Sequence, residues 1–469
     1  MKILSLFDGM ACGMIAMLNA GIEVESYDAY EIDDNAIKVS SHNFPSIKHH
    51  GDVFKADFTQ YEGVDYLIGG SPCTYWSIAQ KNNRETEASG MGWELFSQYV
   101  RAVKEAKPKF FIYENNKSMS AAIRESIDRA FGFEAVCINS ALVSAQNRQR
   151  LYWVGMRNED GTYSKVNVDQ PEDRGIILAD IVDGMSWREK SYTIDSNYHK
   201  TLGQQGFDRQ SGRRKMVAEP VNITTDGKSQ TLKAQYFKNS IANFCCYHST
   251  YGASGVAEPV CVAERGRLVN GKWTQRFEPR TDGKTNVLTT AQKDNQVCEP
   301  VRVGALPRPN GELSTSQAFR IYSTGGKSVN ITAGGGGAGG KTGLYAFDVP
   351  LYAEPTEWGE NGDPTEAKSY ADGKTYPVYR VQNGQITIKG KEYPIKLADG
   401  YYIIRKLTVT ECMRLQTVPE WYDFSVISNS QAYKCLGNGW TCDVITHLIN
   451  ACQTAARRKW LRDLLGGDL

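Results

Sequence analysis

The feature that most constrains this chain is the rhythm of its first 156 residues. Short apolar runs (KILSLF, VESYDAYE, VDYLIGG, KFFIYEN, FEAVCINSAL, RLYWVGM) alternate there with amphipathic stretches such as DDNAIKVSSHNF, WELFSQYVRAVKEA and AAIRESIDRAFG. Runs this short read as strands, and the stretches between them as helices of about 10 to 15 residues. The pattern predicts an α/β fold: a doubly wound, mostly parallel, Rossmann-like sheet with helices on both faces. Ligands of such sheets bind outside the carboxyl ends of the strands, so the residues after LSLF, DAYE, LIGG and IYEN carry the most information.

From about Met185 the texture changes to short polar strands rich in Gly, Ser, Thr and Asn. A loose repeat runs through this region: TTDGKSQTLKA at 224–234, RTDGKTNVLTTA at 280–291 and STGGKSVNITA at 323–333. Each is a Gly-Lys turn followed by an alternating segment and is expected to form a hairpin. YPVYRV, QITIKG and GYYIIR are expected strands, and the chain closes on a helical WTCDVITHLINACQTAARRKWLRDLL. The organisation expected is therefore a catalytic domain over 1–184, a β-rich second domain over 185–401 and a return of 402–469 to the first domain.

With 469 residues, 41% of them apolar, and 54 Lys and Arg against 53 Asp and Glu, the chain is globular and not a charge-driven disordered polymer. The near-zero total hides an asymmetry. Residues 1–160 carry a net −5, 161–184 a net −3, 185–350 a net +9 and 351–469 a net of zero. A basic middle attracts a polyanion such as DNA through phosphate neutralisation; a merely solvated basic surface accounts for the same excess. The 11 cysteines are scattered and form no CxxC, so neither a disulfide framework nor a metal site is expected. The N-terminal MKILSLFDGMACGMIAML has the pattern of neither a secretory leader nor a membrane span, and a cytoplasmic monomer without membrane contact is expected.

At the strand ends, Phe7-Asp8-Gly9-Met10-Ala11-Cys12-Gly13 forms a glycine-bearing loop into the first helix, although not the GxGxxG of a dinucleotide site. Glu31, roughly 20 residues on, stands where a carboxylate can bind two ribose hydroxyls, and Asp52 in HGDVF can accept from an adenine amino group. A structural turn and a surface carboxylate would explain each of these alone. Gly69-Gly70-Ser71-Pro72-Cys73 places a cysteine on a polar turn at the end of VDYLI, a setting suited to a nucleophile and unlike a core position. The next strand ends in Glu114-Asn115, and Gln146-Asn147-Arg148-Gln149-Arg150 brings two cations before LYWVG. Gly335 to Thr342 satisfies G-x-x-x-x-G-K-S/T as a string, but GLYAFDVP follows it in place of a helix, so it is read as a glycine-rich loop and not an ATP site.

Together these residues resemble the cytosine-5 DNA methyltransferase family. Phe7–Gly13 is similar to its cofactor loop, in the form found in the animal de novo enzymes, and Pro72-Cys73 to its nucleophile turn. Glu114-Asn115 is similar to its base-contacting pair, and Arg148 and Arg150 to its Gln-x-Arg-x-Arg. Arg405-x-Leu407-Thr408-x-x-Glu411-x-x-Arg414-Leu415-Gln416-x-x-Pro419 matches its late motif, and Gly437-Asn438 resembles the segment that closes the cofactor pocket. The resemblance covers about 1–184 and 402–469. It departs at Asn116, where the family usually has Val, and at Gly439-Trp440, where it prefers small and β-branched residues.

The resemblance implies S-adenosylmethionine as cofactor, held by Phe7, Asp8, Gly9, Gly13, Glu31, Asp52, Val53, Pro72 and Asn438. It implies double-stranded DNA as substrate, with no metal, and Cys73, Glu114, Arg148 and Arg150 as the catalytic set. Cys73 would add to C6 of a flipped-out cytosine, Glu114 would serve N3 and the exocyclic amine, and Arg150 the O2 oxygen. Residues 185–401 would be the target-recognition domain, and Ser77–Gly92, with its two late glycines, a closing lid. A tRNA cytosine-5 methyltransferase on the same fold, or transfer of a modified one-carbon group, is the alternative.

Overall fold

The computed structural model describes residues 1–77, 84–184 and 300–465 except 301, 309–310, 315, 317–318, 331–342 and 350, together with the backbone of strands Val262–Val269 and Lys272–Pro279. The chain divides into two compact units, one of residues 1–183 with 299–469 and one of 184–298. The two 262–279 strands form an antiparallel pair in the second unit. The repeats at 224–234 and 280–291 and the glycine-rich 335–342 lie outside the described residues, as do 78–83 of the expected lid.

The main sheet of the first unit contains β1 (Lys2–Leu6), β2 (Ser26–Tyr30), β3 (Lys48–His49), β4 (Tyr66–Gly69), β5 (Phe110–Asn116), β6 (Val136–Asn139) and β7 (Gln149–Arg157), in the order β3-β2-β1-β4-β5-β7-β6, with β8 (Tyr163–Lys165) beside β7. β1 pairs in parallel with both β2 and β4, and β4 with β5. β7 runs antiparallel to β5 and β6. The doubly wound sheet expected from the sequence is therefore present.

Its two faces follow from the alternation of side chains along each strand. Ile3, Tyr66, Ile68, Ile112, Tyr152 and Val154 enter one core, with residues of α1 (Cys12–Asn19) and of the last helix, Cys442–Leu465. Leu4, Leu6, Leu67, Phe111, Tyr113 and Trp153 enter the other, with residues of α3 (Gly90–Ala106) and α4 (Ala121–Phe131). Local signals set the helix ends: the Asp33 side chain caps α2 (Asp34–Asn43), Ser120 caps α4, and Gly132 ends α4 at φ 82°.

A second sheet runs from Arg302 to Arg405, with its seven-strand path ordered Arg302–Ala305, Arg320–Ser323, Leu344–Asp348, Gly400–Arg405, Thr375–Gln382, Pro364–Ser369, Ala353–Trp358. The hairpin expected at 323–333 is not formed by the described residues of that segment. Ser328 instead bridges in parallel to Gln146, and strand Arg320–Ser323 pairs in parallel with Leu344–Asp348. The physical reason is Lys327: its ammonium is buried and donates to the carbonyls of Ala141, Ser144 and Ile176. The turn lysine therefore pins this segment to the main sheet's loops.

The late motif is a structural lock. Arg405, 2% exposed, donates from both Nη atoms to Glu411 at 2.8 Å, and its guanidinium lies 3.9 Å from the Phe347 ring centre. Glu411 also accepts from the Thr408 backbone N–H at 2.7 Å, closing a capping box at the start of α5 (Val409–Leu415). Helix α6 (Asn429–Asn438) and α7 (Cys442–Leu465) follow. Tyr422 Oη donates to the Met10 carbonyl at 2.6 Å, tying this closing segment to the first loop. Among the described residues no helix is long and apolar enough to cross a membrane, and no cluster of three metal-ligating side chains occurs.

Candidate active site

The strand order reverses at β1 and β4: the chain builds outward through β2 and β3 on one side, then through β4 and β5 on the other. In such sheets the loops leaving the strands on either side of the switch point bound the usual ligand site. Phe7–Ala11 leaves β1 there, and Gly70–Tyr75 leaves β4.

The first loop bends tightly, with positive φ at Phe7 (58°), Gly9 (62°) and Ala11 (61°). Glu31, just past β2, holds it: Oε2 accepts from Gly9 N at 2.8 Å, and Oε1 from Ile32 N and Asp33 N at 2.8 and 2.9 Å. Asp8 Oδ1 accepts from Ser5 Oγ and Tyr27 Oη, both at 2.6 Å, whereas Oδ2 is buried without a partner among the described residues. Burial raises the Asp8 carboxyl to about 6 against the pull of those two hydroxyls. Gly13 packs where no side chain fits, since a Cβ would stand 2.2 Å from Ile68 Cδ1. Asp52 caps the turn Val53–Lys55 by accepting from Phe54 N at 3.0 Å, and Val53 is buried beneath it. Ile32 and Phe54 follow these carboxylates in the chain and are exposed apolar side chains, Ile32 by 74%. Each is an apolar residue within two positions of a strand-end carboxylate, a signal the sequence itself carries.

The second loop is tied to the end of β5. Ser71 Oγ shares a 2.6 Å hydrogen bond with Tyr113 Oη, and Asn115 Nδ2 donates to Ser71 O at 3.2 Å and to Tyr113 Oη at 3.1 Å. Asn116, the departure from the family pattern, donates from Nδ2 to the Cys73 carbonyl at 3.4 Å. Pro72 is exposed, and Cys73 opens a short 3-10 turn as a half-buried free thiol. The flanks of the 78–83 segment are anchored as well. Glu85 accepts from Trp76 Nε1 at 3.0 Å and from Gly92 N at 3.2 Å.

Glu114 stands at the carboxyl end of β5 and is 9% exposed. Arg150 Nε lies 3.0 Å from its Oε1, and Trp440 Nε1 donates to its Oε2 at 3.1 Å. Gly70 backs it closely, since a Cβ there would stand 2.7 Å from Oε2. Arg148 is placed differently from Arg150. It is 3% exposed, and it donates from Nη1 to Asn330 Oδ1 (2.8 Å) and Gly437 O (3.2 Å) and from Nη2 to Gly439 O (2.8 Å). Burial, then the neighbouring Arg150 charge, lowers its guanidinium to about 10. Asn438 is exposed at the end of α6, and Gly439 approaches the first loop so closely that a Cβ would lie 3.1 Å from Cys12 Sγ.

Three carboxylates thus stand just past the first three strands, with a thiol turn after the fourth and a paired carboxylate at the end of the fifth. Asp8, inside the first loop, is unsuited to a phosphate there. The set suits a ligand rich in hydroxyl and amino donors, and the orphaned Asp8 oxygen suits a cationic amine.

The family model described as C-5 cytosine-specific DNA methylase matches residues 1–454. Orphan methyltransferase M.SPRI of Bacillus phage SPR is 32% identical over 472 residues, which cover 95% of each chain. Orphan methyltransferase M.Rho11sI of Bacillus phage rho11s is 26% identical over 95% of this chain and 96% of that one. Among solved structures, the Dnmt2 methyltransferase of S. pombe aligns over 97% of this chain and 99% of its own, at 11% identity and a TM-score of 0.44. On the family match over residues 1–454 and the phage SPR relative at 32% identity, the chain belongs to the C-5 cytosine-specific DNA methylase family and is a DNA (cytosine-5-)-methyltransferase.

Proposed function

We propose that the enzyme methylates C5 of a cytosine flipped out of double-stranded DNA, through a covalent bond between Cys73 and C6, with S-adenosylmethionine as methyl donor. The observation that supports this most is the pairing of Glu114 with Arg150 at a strand end adjoining the half-exposed Cys73 turn. C5 of cytosine is a weak nucleophile while the ring is aromatic. Addition of the Cys73 thiolate to C6 shifts the C5–C6 π pair to C4–C5 and the C4–N3 π pair onto N3, which takes a proton from Glu114. Arg150 holds the cytosine O2 and the carboxylate in register. S-adenosylmethionine supplies an electrophilic methyl group on a sulfonium. After C5 has taken the methyl group, loss of the C5 proton to solvent restores the C5–C6 double bond and expels the thiolate, and N3 returns its proton to Glu114.

The cofactor would rest on Phe7, Gly9, Gly13, Val53, Pro72 and Asn438. Glu31 and Asp52 would take the ribose and adenine donors, and the free Asp8 oxygen would take the amino group. Arg148 acts in this scheme as a positioning residue for the 437–439 segment. Target recognition is assigned to the basic 185–401, and closure over the base to Ser77–Gly92. Bisulfite sequencing of DNA from cells expressing the protein tests the proposal: protected cytosines are expected with the wild type and none with Cys73→Ala. Protection by that variant would overturn the covalent step.

A further inference from the structure

Trp440 interrupts the family pattern, and its indole is the second hydrogen-bond donor on the carboxylate of Glu114. We infer that Trp440 is a positioning residue whose indole N–H serves Glu114 as a placeholder, filling at Oε2 the place that the 4-amino group of an extruded cytosine takes during the reaction. The inference rests on Glu114 being the base-binding carboxylate.

Glu114 is nearly enclosed, and a carboxylate oxygen without a donor in such a place carries a desolvation cost. Arg150 serves Oε1, and Gly70 closes one side so tightly that a Cβ would touch Oε2. The indole fills what is left. Its backbone is clamped on both sides. The Gly439 carbonyl accepts from Arg148 Nη2 at 2.8 Å and from Gln416 Nε2 at 3.3 Å. On the other side Thr441 Oγ1 donates to Gln416 Oε1 at 2.8 Å and shares a hydrogen bond with Ser140 Oγ at 2.8 Å. The Cα of Trp440 is therefore fixed, while its half-buried ring can turn about its own side-chain torsions.

The choice of donor fits the chemistry. An indole N–H donates one hydrogen bond, accepts none, and carries no charge. It orients the acceptor oxygen without adding a second positive charge beside Arg150. Exchange of this neutral N–H for the amino N–H of the base leaves the count of hydrogen bonds on Oε2 unchanged. The carboxylate is thus already turned for the base before the base arrives.

The test uses DNA carrying tritium at cytosine C5, without cofactor. Addition of Cys73 to C6, uptake of a solvent proton at C5, loss of the tritium and expulsion of the thiolate return cytosine and release label to water. Trp440→Phe is expected to slow this release roughly tenfold, because the carboxylate is no longer turned for the base before the base arrives. Trp440→His, which keeps a ring N–H, should recover most of it. Independently, the indole proton–nitrogen signal of Trp440, identified by its disappearance in either variant, should move upfield in Glu114→Ala. Release by Trp440→Phe within twofold of wild type, a His variant no better than Phe, or an indole signal indifferent to Glu114 would each overturn the inference. If Trp440→Phe does not fold, the indole signal decides. A wild-type protein that releases no tritium while binding DNA overturns the covalent reading, and this inference with it.

Discussion

Arg150 Nε and Glu114 Oε1 lie 3.0 Å apart although they stand on antiparallel strands 36 positions apart in number. The β5–β7 register explains it. Glu114 faces Tyr152 and Asn116 faces Arg150, so the two charged residues are diagonal neighbours on one face of the sheet. Removing the guanidinium leaves an enclosed carboxylate with its indole partner alone. Arg150→Ala should lower kcat/KM by about 10²- to 10³-fold, the cost of losing one preorganised donor, and steady-state methylation of genomic DNA measures it.

Gly70 sets the floor under the same carboxylate. A methyl group there would stand 2.7 Å from Glu114 Oε2 and 2.9 Å from the Glu114 carbonyl oxygen. Gly70→Ala should therefore displace the carboxylate, with a loss in kcat of at least about tenfold and little change in DNA affinity measured by fluorescence anisotropy.

In the proposed scheme Arg148 acts through structure. It serves Gly437 O, Gly439 O and Asn330 Oδ1, three acceptors on segments far from it in sequence. Arg148→Leu should lower unfolding free energy by about 2–4 kcal/mol, seen as an earlier urea midpoint. Arg148→Lys should recover only part of that, since one ammonium cannot reproduce a guanidinium fork.

The carboxyl of Asp8, raised to about 6 by burial, makes a pH-dependent contribution. Its native pKa lies above the ordinary 3.8, so the native state binds more protons than the unfolded chain between those values. Stability from this group is present below about pH 4 and is lost as pH rises to about 6. The thermal midpoint of the cofactor-free enzyme should carry that falling component, and Asp8→Asn should remove it. S-adenosylmethionine, by pairing the ionised form with its amino group, should also flatten it.

The buried pair Arg405–Glu411 gives a stability prediction apart from the candidate active site. Each partner is fully enclosed, and Glu411 also holds the Thr408 N–H. Glu411→Ala strands the guanidinium and should cost about 3–5 kcal/mol, whereas replacing both with apolar residues of similar size should cost much less. A double-mutant cycle in urea separates the two outcomes.

The fold was legible because its strands alternate so regularly. Ile3 and Leu4, or Ile112 and Phe111, already declare two faces in the sequence, and the strand-end residues Asp8, Glu31, Cys73 and Glu114 follow from them. What stayed hidden was long-range. The Trp440–Glu114 bond spans 326 positions, and the Arg148 contacts to Gly437 and Gly439 span 289 and 291. No local propensity encodes such a meeting. Lys327 misled for another reason: Gly-Gly-Lys is ordinary hairpin chemistry, and the carbonyls of Ala141, Ser144 and Ile176 that receive its buried ammonium lie more than 150 positions away.

The most direct measurement is a trapping experiment. DNA substituted throughout with 5-fluorocytosine cannot lose a proton at C5, so once methylated it should remain bonded to the enzyme after denaturation. The account predicts one adduct, dependent on S-adenosylmethionine, located by mass spectrometry on the peptide containing Cys73. Absence of an adduct from an enzyme that methylates ordinary DNA, or an adduct on any other of its cysteines, would contradict it.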